Sequence, residues 1–259
     1  VGLLYDSTLC IGCKACVEAC REANGLEPDT TGYEGGLYQA PVDLSARAKN
    51  VIKVYREGDK SAFMKAQCMH CLDPACTSAC MLGALKKREK GLVTYDASLC
   101  IGCRYCQVAC PFGVPKFEWA KVAPKIVKCE LCSHRLAEGK LPACVEVCPR
   151  GAVIYGTRAD LLAEAKRRLA AHPGRYVPKV YGEHDGGGTQ CLYLAAVPFE
   201  KLGLPDLGTE PVSRVANTVQ HGIYQGFVAP VALYAALAAV LVRNRRRTQG
   251  EEAGEEKPS

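Results

Sequence analysis

Bulky aromatic side chains are scarce in this sequence: its 259 residues include 5 Phe and 1 Trp, with 3 Met. That is little material for a large hydrophobic core, and something besides side-chain packing must help organise the fold. Nothing reads as a substrate pocket or an acid–base constellation. What the chain has instead is cysteine, 17 of them. At roughly 7% of the chain this lies below the ~8–10% that marks a disulfide scaffold, so spacing decides what they do.

The cysteines fall into four runs. The first is Cys10, Cys13, Cys16 and Cys20; the second is Cys68, Cys71, Cys76 and Cys80. The third is Cys100, Cys103, Cys106 and Cys110, followed by Pro111; the fourth is Cys129, Cys132, Cys144 and Cys148, followed by Pro149. Cys191 is left over and reads as a free or buried structural thiol. A C-x2-C-x2-C run wraps three thiolates around one 4Fe-4S cluster within a single loop, and the fourth cysteine, often before Pro, ligates a neighbouring cluster. Four such runs predict four 4Fe-4S clusters held by sixteen cysteines. Zinc uses pairs of cysteines set a dozen or more residues apart, a pattern only the fourth run approaches. Neighbours within the runs are poorly placed for disulfides. His70 and His134 flank ligand cysteines, but sixteen thiolates already complete four clusters.

The formal charge of +6 invites a reading as a nucleic-acid surface. Four clusters, each bringing about −2 with its thiolates, turn the balance slightly negative. Lys14, Lys86, Lys87, Arg88, Arg104, Lys125, Lys128 and Arg150 lie close to the runs and read as cluster compensation and solvated surface. No nucleic-acid partner is expected.

Tyr5-Asp6-Ser7-Thr8-Leu9-Cys10-Ile11-Gly12-Cys13 is echoed 90 residues later by Tyr95-Asp96-Ala97-Ser98-Leu99-Cys100-Ile101-Gly102-Cys103. So long an echo outside the cysteines indicates a duplicated unit of strand, cysteine loop and short helix. Gly2 to Tyr5, Leu92 to Tyr95 and Ala152 to Tyr155 read as strands. Residues 21–67 form an insertion without cysteine, in which Val51 to Tyr55 alternates as a strand. Thr157 with Asp160 marks a helix start, Leu161, Ala165 and Leu169 give it one apolar face, and Pro173 stops it. The gaps between the second and third runs and between the third and fourth are nearly equal, so spacing does not settle which runs pair.

From Gly222 to Val242 no residue is charged. These ~21 residues would make a helix of about 32 Å, enough to cross a bilayer core. Arg243, Arg245, Arg246 and Arg247 follow and predict a cytoplasmic tail, with the cysteine-bearing body on the periplasmic side of the inner membrane. Export of that body implies a signal peptide removed before Val1, by a route that carries folded proteins. His221 and Gln225 sit where the span begins and could contact a quinone or a partner subunit.

The four runs resemble those of the four-cluster ferredoxin-type subunits of membrane-bound oxidoreductases such as formate dehydrogenase. Within that group, Val1-Gly2-Leu3-Leu4-Tyr5-Asp6-Ser7-Thr8-Leu9-Cys10, Gly187-Gly188-Thr189, Leu192-Tyr193-Leu194 and the stretch from Val197 to Pro205 resemble the HybA-type subunit of NiFe uptake hydrogenases. The resemblance implies that the first run pairs with the fourth and the second with the third. One cluster would use Cys10, Cys13, Cys16 and Cys148, and its partner Cys129, Cys132, Cys144 and Cys20. The other pair would use Cys68, Cys71, Cys76 and Cys110, and Cys100, Cys103, Cys106 and Cys80. Met81 stands where the family often has Pro, which alters the loop but removes no ligand.

The implied fold is α+β: two bacterial-ferredoxin-like two-cluster units, one inserted in the other, plus a C-terminal transmembrane helix. The expected boundaries are 1–185 for the four-cluster domain (68–110 as the inserted unit), 186–218 for an extended strap, 219–243 for the transmembrane helix and 244–259 for a disordered tail. The resemblance implies a non-catalytic electron-transfer subunit. It would relay electrons between the small and large subunits of a periplasmic NiFe hydrogenase and an integral-membrane, quinone-reactive subunit. The same wire in a molybdenum or tungsten oxidoreductase is the alternative.

Overall fold

The computed structural model describes all residues except 31, 32, 35–39, 59, 120, 123, 221–227 and 256–259. The described chain forms two compact units, Val1–Ser213 and Arg214–Ser259.

In the first unit, strand β1 (Gly2–Asp6) leads into the first cysteine run and helix α1 (Ala15–Ala23). The insertion folds as a hairpin of β2 (Asn50–Glu57) and β3 (Lys60–Gln67), with Val51 opposite Ala66. The second run carries α2 (Ala75–Ser78) and ends at β4 (Leu85–Lys87); β5 (Val93–Tyr95) then enters the third run and α3 (Tyr105–Ala109). A small hairpin, β6 (Lys116–Phe117) and β7 (Ile126–Val127), precedes the fourth run with α4 (Ser133–Ala137) and α5 (Ala143–Glu146). Beyond it come β8 (Val153–Gly156), α6 (Arg158–Ala171) and β9 (Cys191–Leu194).

The pairing of these pieces is nested. β4 and β5 pair antiparallel, with Leu85 opposite Tyr95, and α2 meets α3. That arrangement joins the second run to the third. β1 pairs antiparallel with β8, with Leu3 opposite Tyr155, and α1 meets α5, joining the first run to the fourth. Mixed helix and strand of this kind is the ferredoxin-like pattern.

β1 is buried along its whole length because both of its faces are covered. Leu4 packs on Leu161, Ala165, Leu192 and Leu194 under α6, while Leu3 and Tyr5 face Ile52, Met64, Cys16 and Cys144. A strand covered twice reads as a continuous apolar run, as Gly2-Leu3-Leu4-Tyr5 does. Thr157 caps α6 by accepting from the Asp160 N–H at 3.2 Å, which meets one of the helix's orphan donors.

Three expected boundaries differ from the structure. The stretch 186–218 is not a strap leaving the body: Cys191–Leu194 is β9, parallel to β1 with Leu3 opposite Cys191, and Phe199, Leu202 and Leu204 are buried in the core. Thr189 bridges to Cys71, so this segment ties the inner unit to the outer one. Its glycines and prolines signalled irregular backbone, and irregular backbone can be buried where neighbouring chain supplies its hydrogen bonds.

In the second unit α7 (Arg214–Gln220) is followed by α8 (Val228–Glu255). Among the described residues no helix is long and apolar enough to cross a membrane. The apolar part of α8, Val228 to Val242, spans about 22 Å at 1.5 Å per residue, short of the ~30 Å hydrocarbon core. Residues 221–227 of the expected span, His221 and Gln225 among them, lie outside the described residues. The helix also continues through the arginines to Glu255, where a disordered tail was expected.

Candidate iron–sulfur sites

Each cysteine loop needs a backbone reversal tight enough to turn two thiols inward. In all four runs the residue before the second cysteine has a left-handed backbone: Gly12 (φ 69°), His70 (φ 49°), Gly102 (φ 74°) and Leu131 (φ 54°). Glycine adopts this conformation freely, whereas a side chain costs roughly 1–2 kcal/mol there. Gly12 has a second reason, since a Cβ would stand 2.2 Å from the Phe63 ring. The reversal aims backbone N–H groups at sulfur: Gly12 donates to Cys10 Sγ at 3.4 Å and Leu131 to Cys129 Sγ at 3.3 Å. The His70 N–H acts likewise on Cys68.

The thiols gather in four groups. Cys10, Cys13, Cys16 and Cys148 line one cavity with about 360 Å³ of empty space. Burial, then the Cys10, Cys148 and Cys13 charges, push the Cys16 thiol up, opposed by Lys65. Cys80, Cys100, Cys103 and Cys106 line another of about 400 Å³, where burial and the Cys80, Cys103 and Cys100 charges raise Cys106 to about 12. Burial also raises Cys20, with Cys129, Cys144 and Cys132 as its thiol neighbours. Cys76 is raised by burial, with Cys68, Cys110 and Cys71 around it. We label these groups a (with Cys16), b (with Cys20), c (with Cys76) and d (with Cys106).

Among the described residues no three His, Cys, Asp or Glu side chains converge tightly enough to hold a single metal ion. A tetrahedral zinc ion would draw four sulfurs to within about 3.8 Å of one another. The thiols of groups a and d instead stand around a space, as a polynuclear cluster requires. A thiol gives up its proton when it becomes a metal ligand.

The groups follow one another in a line. α1 bears Cys16 of a and Cys20 of b, one helical turn or about 6 Å of rise apart. Cys129 of b acts on the charge of Cys68 of c, and both belong to one buried cluster with Leu44, Val51 and Val114. The second run then supplies Cys76 to c and Cys80 to d. All four thiols of b are buried, whereas the outer groups reach the surface at Cys13 and Cys103.

Two regions of the sequence match described families: a "4Fe-4S binding domain" at residues 3–22 and a "4Fe-4S dicluster domain" at residues 60–158. Over 294 aligned positions the chain is 42% identical to "Hydrogenase-2 operon protein HybA" of Escherichia coli O157:H7, covering 100% of this chain and 89% of that protein. The chain belongs to the HybA family. It is also 38% identical to the "Formate dehydrogenase, nitrate-inducible, iron-sulfur subunit" of Escherichia coli K12, over 79% of this chain and 72% of that subunit. The "Formate dehydrogenase iron-sulfur subunit" of Haemophilus influenzae is 35% identical over 79% of this chain and 68% of its own length. As a HybA-family member the chain is a 4Fe-4S electron-transfer protein.

Of the basic residues expected beside the sites, Lys14 and Lys128 are buried, while Lys86, Arg88, Lys125 and Arg150 are exposed. Lys128 reaches the carbonyls of Val93 and Cys129. Lys87 donates to the Cys71 carbonyl at 2.5 Å. Arg104 lies over the Trp119 ring at 4.0 Å. His134 stands on exposed α4. His70 is wholly buried, and its Nδ1 accepts from the Val93 N–H at 3.0 Å. Burial, with Lys128 and Lys87 nearby, holds it neutral. Cys191 is buried and donates to the Cys68 carbonyl at 3.4 Å, which agrees with a structural thiol. The sequence reading missed Lys65, fully buried on β3 inside the cysteine-free insertion. Nothing local in the alternating hairpin distinguishes it.

Proposed function

We propose that this chain relays electrons through four 4Fe-4S clusters between a periplasmic NiFe hydrogenase and an integral-membrane, quinone-reactive subunit. The observation that carries the proposal is the succession of adjoining thiol groups a, b, c and d, with b wholly buried and the outer two open to the surface at Cys13 and Cys103. Such a succession has two ends, one for each partner, and the part proposed for the chain is conduction. The ligands are Cys10, Cys13, Cys16 and Cys148 in a, and Cys129, Cys132, Cys144 and Cys20 in b. They are Cys68, Cys71, Cys76 and Cys110 in c, and Cys100, Cys103, Cys106 and Cys80 in d. The clusters supply one-electron redox chemistry; the chain sets their spacing, excludes water and tunes potential through N–H donors and buried charge.

The hydrogenase partner is favoured by the full-length match to HybA, against 79% coverage by the formate dehydrogenase subunit. The proposal puts the chain at the periplasmic face of the inner membrane, and the C-terminal unit supports contact with a membrane. α8 exposes Val231, Leu233, Tyr234, Leu237 and Val240, which lie around the helix rather than along one stripe. Such a surface suits lipid or an apolar membrane partner better than water, and the single-pass anchor with an exported body remains part of this proposal.

Elemental analysis of the complex purified through a tag on this chain tests the reading. We expect nickel together with iron that includes about 16 atoms from this subunit. Molybdenum or tungsten in place of nickel would keep the wire and replace the partner, whereas zinc with little iron would overturn the relay.

A further inference from the structure

Lys65 stands out among the charged groups of the core. Its side chain is 0% exposed, more completely buried than Lys14 or Lys128. It extends from β3: Ile52 lies opposite it, buried Ala62 and Met64 precede it, and buried Gln67 follows. Nζ donates to Gln67 Oε1, and the Tyr193 hydroxyl donates to the Lys65 carbonyl at 2.8 Å. The Gln67 amide in turn reaches Cys191 Sγ at 3.7 Å.

An ammonium ion buried without an opposite charge costs several kcal/mol. Ile52, opposite Lys65, shares a buried cluster with Cys16 and Cys144 and lines the cavity of group a, and the thiols of Cys144, Cys16, Cys129 and Cys20 are the leading charges that act on Lys65. They outweigh the burial that would otherwise lower its affinity for a proton. The interaction is mutual, since the Lys65 charge opposes the rise of the Cys16, Cys20, Cys132 and Cys144 thiols. These thiols belong to two different groups, Cys16 to a and the others to b. One lysine therefore serves two sites, and it does so from outside either cysteine loop.

We propose that Lys65 is the shared counter-charge of sites a and b, favouring the reduced form of both. This rests on the cluster reading above. Each electron taken up makes a site one unit more negative, and a fixed cation in a low-dielectric interior favours that change. Because the cation sits between two sites, it raises their potentials together. An equal shift leaves the step between the two sites unchanged while making both easier to reduce. Lys65 acts through the electrostatic field and is a positioning residue for charge, with no contact to a reacting substrate.

The test is an EPR-monitored redox titration of the intact complex carrying wild-type chain, Lys65→Gln or Lys65→Arg, with iron determined on the same samples. The glutamine keeps an N–H for Gln67 and removes the charge. Sites a and b are recognised as the signals missing from Cys148→Ser and Cys20→Ser respectively. We expect Lys65→Gln to disfavour reduction of those two sites about tenfold each, ~59 mV downward for a one-electron couple. The other two should not move, and Lys65→Arg should stay close to wild type. Unchanged potentials at a and b, or an equal shift at all four sites, would overturn the proposal. If Lys65→Gln loses iron, a loss of about half, confined to a and b, supports it. Loss from all four sites would make Lys65 a general folding residue and overturn it. Wild-type chain without iron would instead bring down the cluster reading itself, so the two failures are told apart.

Discussion

Asp6 and Asp96 occupy equivalent places in the two copies of the duplicated segment, and each makes the same local turn. Asp6 accepts from the Thr8 N–H at 3.0 Å and Asp96 from the Ser98 N–H at 2.9 Å. Their wider surroundings differ. Asp6 is fully buried and also takes Arg168 at 3.0 Å and the Tyr176 hydroxyl at 2.9 Å, whereas Asp96 is exposed. Removing one partner of a buried pair leaves the other charge uncompensated, so Asp6→Ala should cost about 3 kcal/mol. Asp96→Ala should leave the melting midpoint nearly where it was. Thermal unfolding of the two variants checks this, and equal losses would show that the long-range contacts of Asp6 contribute nothing. The duplication itself is plain in the sequence. The difference in burial is not, because it depends on α6, which packs against β1 of the first copy.

At the scale of elements, α1 carries proposed ligands of two sites, and the same logic joins Cys76 to Cys80 across α2. The crossing gives a prediction in pairs. Cys20→Ser and Cys129→Ser should each remove site b, about a quarter of the subunit's ~16 irons, and the double variant should remove no more. Cys16→Ser with Cys20→Ser should remove about half. Iron analysis with EPR separates these outcomes, and an additive loss for Cys20 with Cys129 would refute the proposed sets. The runs, the entering strands and the cap of α6 are legible in the sequence because each is set within a few residues. The joining of the first run to the fourth is not, because Cys16 and Cys148 are brought together by β1 and β8. Spacing permitted a rival arrangement, and only the family resemblance favoured the nested one. β9 was hidden for a similar reason: Cys191-Leu192-Tyr193-Leu194 is a short apolar run flanked by glycine, and its partner β1 lies at the other end of the chain.

The whole molecule divides at Ser213. A chain ended there should keep its iron and appear in the soluble fraction, while full-length chain stays with membranes until detergent is added. Retention of the shortened chain by membranes would place attachment in the cysteine-bearing body, and loss of iron would show that the body needs its C-terminal unit. Nesting has a further consequence, for biosynthesis. The inner unit has all its proposed ligands once Cys110 has been made, so sites c and d can be filled while the rest of the chain is still emerging. Cys10, Cys13 and Cys16 are made first, yet their site stays one thiolate short until Cys148 arrives. The oldest thiolates of the nascent chain thus wait longest for their iron, and the segment through Thr189 and β9, made later still, closes the body over sites already filled.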